Sequence, residues 1–239
     1  MIKKIGLFIV LLGLASFTAA KEVIIGDVTI KLPLQEGFME LPETHFYTEF
    51  MQDFTPQTNE LLVIQAPKDE LTQTLEMKGE QFSTSIVIQT FKGTKYRQVS
   101  KAEFGQIKDF MKQNFEQISE TLKQRINSEM DASSSKVSNK YDVDVALSIT
   151  DMVPLEIFAD TANHYGSTYL MKSSVAVDGE AEDNDNVLMA INVMLVKGKI
   201  IYLYVYNLDE GEESHQELLQ LSKKVALSIS EGNAALENK

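Results

Sequence analysis

Val187–Asn207 reads VLMAINVMLVKGKIIYLYVYN, two apolar runs rich in β-branched and aromatic residues and interrupted once, at Lys197-Gly198-Lys199. Such runs around a glycine-bearing break predict a β-hairpin. A three-residue loop centred on Gly198 would set Leu195 opposite Ile201, Val193 opposite Leu203 and Ile191 opposite Val205. Met194, Asn192 and Ala190 would then meet Tyr202, Tyr204 and Tyr206 on the other face. A two-residue loop would shift that pairing by one. Under either register both faces are apolar or aromatic, which places the hairpin mid-sheet with cover on both sides.

Toward the N-terminus from the hairpin, strand patterns recur. Leu155 to Ala159 and Ser167 to Val177 read as a strand pair around Asp160 to Gly166, and Val143, Val145, Leu147 and Ile149 alternate with polar residues. Asp131 to Asn139, with Ser133-Ser134-Ser135, reads as a polar connection. Before it, Ser100 and Glu103 form a capping box, and an apolar stripe from Phe104 to Met130 recurs every three or four residues. That pattern predicts one long helix over about residues 100–131, lying on one sheet face. Ser83 to Phe91, Glu60 to Ala66, Phe38 to Leu41, and Val23 to Leu32 around Gly26-Asp27 read as strands. Phe46, Tyr47, Phe50, Met51 and Phe54 mark a short helix over Glu43 to Phe54, its aromatic stripe read as core rather than as a ligand box. Beyond the hairpin, Leu218, Leu221, Val225 and Ile229 stripe a helix over about 212–230, opened by the acidic run Asp209 to Glu213 and stopped at Gly232.

The sum is an α+β fold: an antiparallel sheet carrying a long helix (about 100–131) and a C-terminal helix (about 212–230). The chain divides into a leader (1–20), a single α+β domain (21–232) and a frayed tail (233–239).

The leader carries Lys3 and Lys4, an apolar core from Ile5 to Leu14, and Thr18-Ala19-Ala20 before the cut. This is the pattern of a cleaved signal peptide, too short for the roughly 20 residues a membrane span needs. The expected destination is the bacterial periplasm or the medium, with no membrane insertion after cleavage. Cleavage after Ala20 takes 20 of the 239 residues, leaves 219, and moves the net charge from −13 to −15 through the loss of Lys3 and Lys4. That sign argues against nucleic acid as a partner. The chain has no cysteine, so packing alone must hold an exported fold.

Two stretches carry a family resemblance. VTIKLPLQEGFMEL (Val28–Leu41) looks like the opening of PsbP-like domains, and VMLVKGKIIYLYVYN (Val193–Asn207) with KKVALSI (Lys223–Ile229) is similar to their close. The resemblance implies a sheet sandwiched by helices and an accessory, non-catalytic role. It covers a minor part of the chain and supplies no functional residues. The chain also resembles exported bacterial proteins with no assigned activity.

Candidate chemistry is sparse. His45, His164 and His215 never fall at metal-ligand spacing. No Gly-x-Ser-x-Gly elbow and no glycine-rich phosphate loop occurs. The acidic loop Asp178 to Asn186 (DGEAEDNDN) could offer calcium the oxygens of Glu180, Glu182, Asp183 and Asp185, but fails the EF-hand spacing and reads more simply as a solvated turn. Tyr202, Tyr204 and Tyr206 share one sheet face. They could line a ligand cavity, although burial under a helix is the plainer account. No catalytic, cofactor-binding or metal residue is assigned. The expected function is a non-enzymatic binding or accessory protein of the envelope whose partner is another protein. The alternatives are a small-ligand or calcium-binding protein using the tyrosine face or the acidic loop, and an enzyme with a dispersed carboxylate or histidine site.

Overall fold

The structure, a computed structural model of the chain, describes residues 20–71, 82–141, 145–177, 180–183 and 186–234. Residues 1–19 of the leader, 72–81, three short internal stretches and the last five residues lie outside them.

The hairpin is the centre of the sheet, as its two apolar faces require. Strands β9 (Asn186–Val196) and β10 (Lys199–Leu208) are joined by Lys197 and Gly198, both at positive φ (47° and 76°). Two consecutive positive φ values mark the type I′ turn, whose twist matches that of the flanking strands. The loop therefore has two residues, and the three-residue register is corrected by one position. Tyr202 faces Val193, Tyr204 faces Ile191 and Tyr206 faces Met189, while Ile201, Leu203 and Val205 face Met194, Asn192 and Ala190.

Around the hairpin the described strands form one antiparallel sheet in the order β3-β4-β5-β10-β9-β7-β6, with β8 (Glu180–Asp183) paired to β7. The others are β3 (Phe38–Glu40), β4 (Asn59–Pro67), β5 (Thr84–Phe91), β6 (Val145–Asp160) and β7 (His164–Val177). A separate hairpin pairs β1 (Ala20–Ile25) with β2 (Val28–Pro33). Strand β6 runs unbroken through Pro154, in place of the two shorter strands the pattern predicts. It lies at the sheet edge, where a proline's missing N–H costs no ladder bond, and its three register shifts absorb the irregularity.

Helices cover both faces. On one, α4 (Glu212–Ala234) packs Leu218, Val225, Ala226 and Ile229 against Ile201, Leu203 and Val205, flanked by Ile25, Ile30 and Leu32 of the β1–β2 hairpin. This helix runs through Gly232. Asn233, expected in a frayed tail, is 3% exposed and closes two bonds with the backbone of Lys31, at 3.0 and 2.8 Å.

On the other face lie α1 (Phe46–Phe54), α2 (Lys101–Gln113) and α3 (Phe115–Tyr141). The predicted single helix over 100–131 is thus two helices. It breaks at Asn114, whose side-chain amide donates to the Phe110 carbonyl at 2.7 Å and competes with the backbone ladder. Helix α3 then continues through the polar residues expected to be a connection. Once nucleated, a helix extends through serines at little cost. Its Asn127 exchanges two bonds with the main chain of Ile149 on the edge strand (2.6 and 2.9 Å), tying α3 to β6. The capping box at Ser100 is present, and its bonds together with Arg97 hold the Glu103 carboxyl at a pKa of about 2.

At the far end of the hairpin, Lys199 lies 1% exposed with its ammonium 3.0 Å from the Lys95 carbonyl, 3.2 Å from the Arg97 carbonyl and 3.2 Å from Asp27 Oδ1. Those three acceptors match its three N–H donors. The β1–β2 turn closes on the same spot: Gly26, at φ +64°, lies where a Cβ would come within 2.0 Å of the Lys95 carbonyl oxygen. Only glycine fits there.

Candidate functional site

Helix α3 is tied to the sheet edge at β6, and α1 packs near β4 and β5. Between these helices and the centre of the sheet face lies a cavity of about 760 Å³, within the range typical of small-molecule sites. Its floor is the tyrosine side of the hairpin: Tyr202, Tyr204 and Tyr206 beside Val193, Ile191 and Met189. The three tyrosine rings follow one another at 6.4 Å centroid spacing with nearly parallel planes. One wall is the stripe of α3 (Ile118, Leu122, Ile126 and Met130). The opposite wall is α1, with Phe46, Tyr47, Phe50 and Met51. Five of the chain's 10 methionines line the space: Met51, Met111, Met130, Met171 and Met189.

The space opens to solvent at its mouth, so water or a ligand can fill it, and its mainly apolar lining holds water poorly.

The polar groups on the wall are neutral, with one exception. Burial raises the phenols of Tyr202, Tyr204 and Tyr206, the last two well above the usual tyrosine value, so all three stay protonated. Their hydroxyls find no hydrogen-bond partner among the described residues and remain open to whatever occupies the cavity. Tyr47, also raised by burial, shares a 3.0 Å bond with Ser85. The exception is Arg125, the one charged residue on the wall among the described residues. It is exposed to solvent while Leu122 and Ile126 beside it are half-buried, which puts it at the mouth.

No histidine or carboxylate joins the lining among the described residues. The three histidines lie apart. His45 caps α1, its Nδ1 accepting the Tyr47 N–H at 3.2 Å. His164 Nε2 donates to Asn192 Oδ1 at 2.8 Å, an orientation set by the Asn192 amide, which donates to the Leu203 carbonyl and Ser222 Oγ. Burial lowers His164 below the usual imidazole value, so this network is a neutral structural tie between β7, β9, β10 and α4. His215 Nε2 lies 3.5 Å from Glu156 and 3.4 Å from Thr168, outside the cavity. The side chains of Glu180, Glu182, Asp183 and Asp185, which the calcium reading uses, lie outside what the structure describes.

The sequence pattern predicts the tyrosine face packed under a helix and the α1 stripe in the core. Tyr204 and Tyr206 do share a core cluster with Leu122 and Ile126 of α3, and Tyr47 lies in one with Leu41, Ile64 and Phe82; the same tyrosines also line the cavity. Phe46 is 46% exposed and forms part of its rim. Arg125 is absent from the candidates that the sequence supplies. Its one signal is position, immediately before Ile126 in the apolar stripe.

No protein-family model and no curated protein matches the chain. Among solved structures it is similar to a point mutant of protein Mog1, with a TM-score of 0.38, 11% identity, and coverage of 91% of this chain and 94% of that one. The Saccharomyces cerevisiae Ran-binding protein Mog1p follows at TM-score 0.34, 11% identity and coverage of 91% and 94%. Cyanobacterial PsbP (CyanoP) from Synechocystis sp. PCC 6803 gives TM-score 0.32, 11% identity and coverage of 90% and 94%. The PsbP-like pattern at the two ends of the domain thus meets a weak structural similarity to a PsbP. At these values the likeness carries nothing about function.

Proposed function

We propose that this is a non-enzymatic binding protein of the bacterial envelope, exported by its leader, that takes an apolar small molecule into the cavity beneath α3. The observation that carries the reading is that cavity, about 760 Å³ of mainly apolar space over a tyrosine floor. The absence of histidine and carboxylate from its described lining supports a binding role over a catalytic one. The small-ligand alternative thereby overtakes the protein partner expected from the sequence, for which the described surface offers no feature of comparable definition.

The chain has no tryptophan, so a single introduced one reports alone. Ile126→Trp places it in the α3 wall. Titration with phenylnaphthylamine, a neutral apolar fluorophore, should give saturable energy transfer from that tryptophan. Transfer should be weaker from Leu227→Trp on the exposed side of α4. Failure of the fluorophore to saturate, or equal transfer from both positions, would sink the reading.

A further inference from the structure

The cavity wall also specifies the chemistry of its occupant, granted that the cavity is the binding site. Arg125 is the one charged side chain in its described lining and stands at the mouth. A guanidinium presents five donors in a planar fork, so a partner within the chain and a ligand carboxylate can share it. Behind it the lining turns apolar, with Leu122 and Ile126 on one side and the hairpin floor beneath. Tyr202 and Tyr204 line the same space as Arg125, and their neutral hydroxyls have no hydrogen-bond partner among the described residues.

The remaining walls constrain shape weakly. Methionines are unbranched and adaptable, and five of them line this space. A wall of that kind conforms to a flexible chain. The neutral polar side chains that share the lining include Asn59, Gln89 and Ser85, which are engaged in bonds within the protein. The tyrosine row is long in one direction, two successive steps of 6.4 Å, which suits an extended ligand. The protein's net charge of −13 opposes anions at long range. Screening confines that repulsion to roughly 8–10 Å at physiological ionic strength, so the local cation governs the mouth.

We propose that the ligand is a monoanionic amphiphile of the fatty-acid class, its carboxylate paired with Arg125 at the mouth and its aliphatic chain lying along the methionine-rich walls over Tyr202, Tyr204 and Tyr206.

The test displaces bound phenylnaphthylamine from the purified protein with palmitate and with methyl palmitate, each below its aggregation limit. Palmitate should compete at least tenfold better than its ester. Arg125→Gln should erase that gap by weakening palmitate while leaving the ester within twofold. Arg125→Lys, which keeps the charge and loses the fork, should retain part of the preference, and raising salt should narrow it in the wild type alone. Equal competition by acid and ester would overturn the fatty-acid assignment and leave the binding function standing. A gap that survives Arg125→Gln would overturn the role of Arg125. If phenylnaphthylamine itself fails to bind, the cavity reading falls with the assignment.

Discussion

Replacing Lys199 with methionine would test how the β1–β2 hairpin is fixed to the sheet. Methionine nearly keeps the side-chain volume and removes the ammonium, which makes three bonds to acceptors at 3.0–3.2 Å while 1% exposed. Hydrogen bonds to charged groups contribute about 1.5–3 kcal/mol each. The Asp27 bond counts for little, because its carboxylate is 79% exposed and solvent screens the pair. The two carbonyl bonds dominate, and methionine leaves the Lys95 and Arg97 oxygens without a donor. Those values are already net of desolvation, and each buried carbonyl left unpaired costs about 1–3 kcal/mol, so the expected loss is about 2–6 kcal/mol. For a chain of this length each kcal/mol shifts the melting temperature by about 2–4 °C, giving a fall of about 4–24 °C. Urea unfolding of the wild type, Lys199→Met, Asp27→Asn and the double variant forms a cycle that isolates the ion pair. Its coupling should be a minor share of the Lys199→Met loss. A loss under about 1 kcal/mol for Lys199→Met, or a coupling that accounts for most of the loss, would refute the carbonyl-cage account.

Two further outcomes follow from the faces of α2 and α3. Asp160 lies 2.6 Å from both Lys108 and Lys112, and those bonds lower its carboxyl from 3.8 to about 2. A depressed carboxylate adds stability that is full above its unfolded pKa and lost as pH falls toward its folded one. The melting temperature of the wild type should therefore drop more steeply than that of Asp160→Asn between about pH 4 and about pH 2, and parallel curves would contradict it. Asn127→Ala should unclasp α3 from β6, costing about 1–2 kcal/mol for two main-chain groups that water can partly satisfy. Hydrogen exchange at the Ile149 amide should accelerate, and unchanged protection there would remove Asn127 as the tie.

Most of the elements are legible because their signals are local. The β-branched and aromatic runs of β5, β9 and β10, the Ser100 capping box and the stripes of α2, α3 and α4 each satisfy a short-range rule. What escapes depends on geometry that periodicity does not carry. The turn register hinges on Lys197 accepting a left-handed φ, which a lysine does not advertise. The break at Asn114 falls between Met111 and Phe115, where the apolar spacing runs on undisturbed. Pro154 reads as a strand end unless its strand is known to lie at the edge. The cavity is the hardest feature to foresee. Its floor and both walls each read as apolar, but where α3 stands over the sheet depends on contacts such as the Asn127 clasp to Ile149, which periodicity does not carry. A sequence states which faces are greasy; it does not state whether they touch.

The Asn127 clasp joins two duties in one helix. Helix α3 roofs the cavity, and its asparagine also occupies main-chain groups of the edge strand β6, which bare strand edges offer to other chains. Any swing of α3 that widens the mouth also unmasks part of that edge.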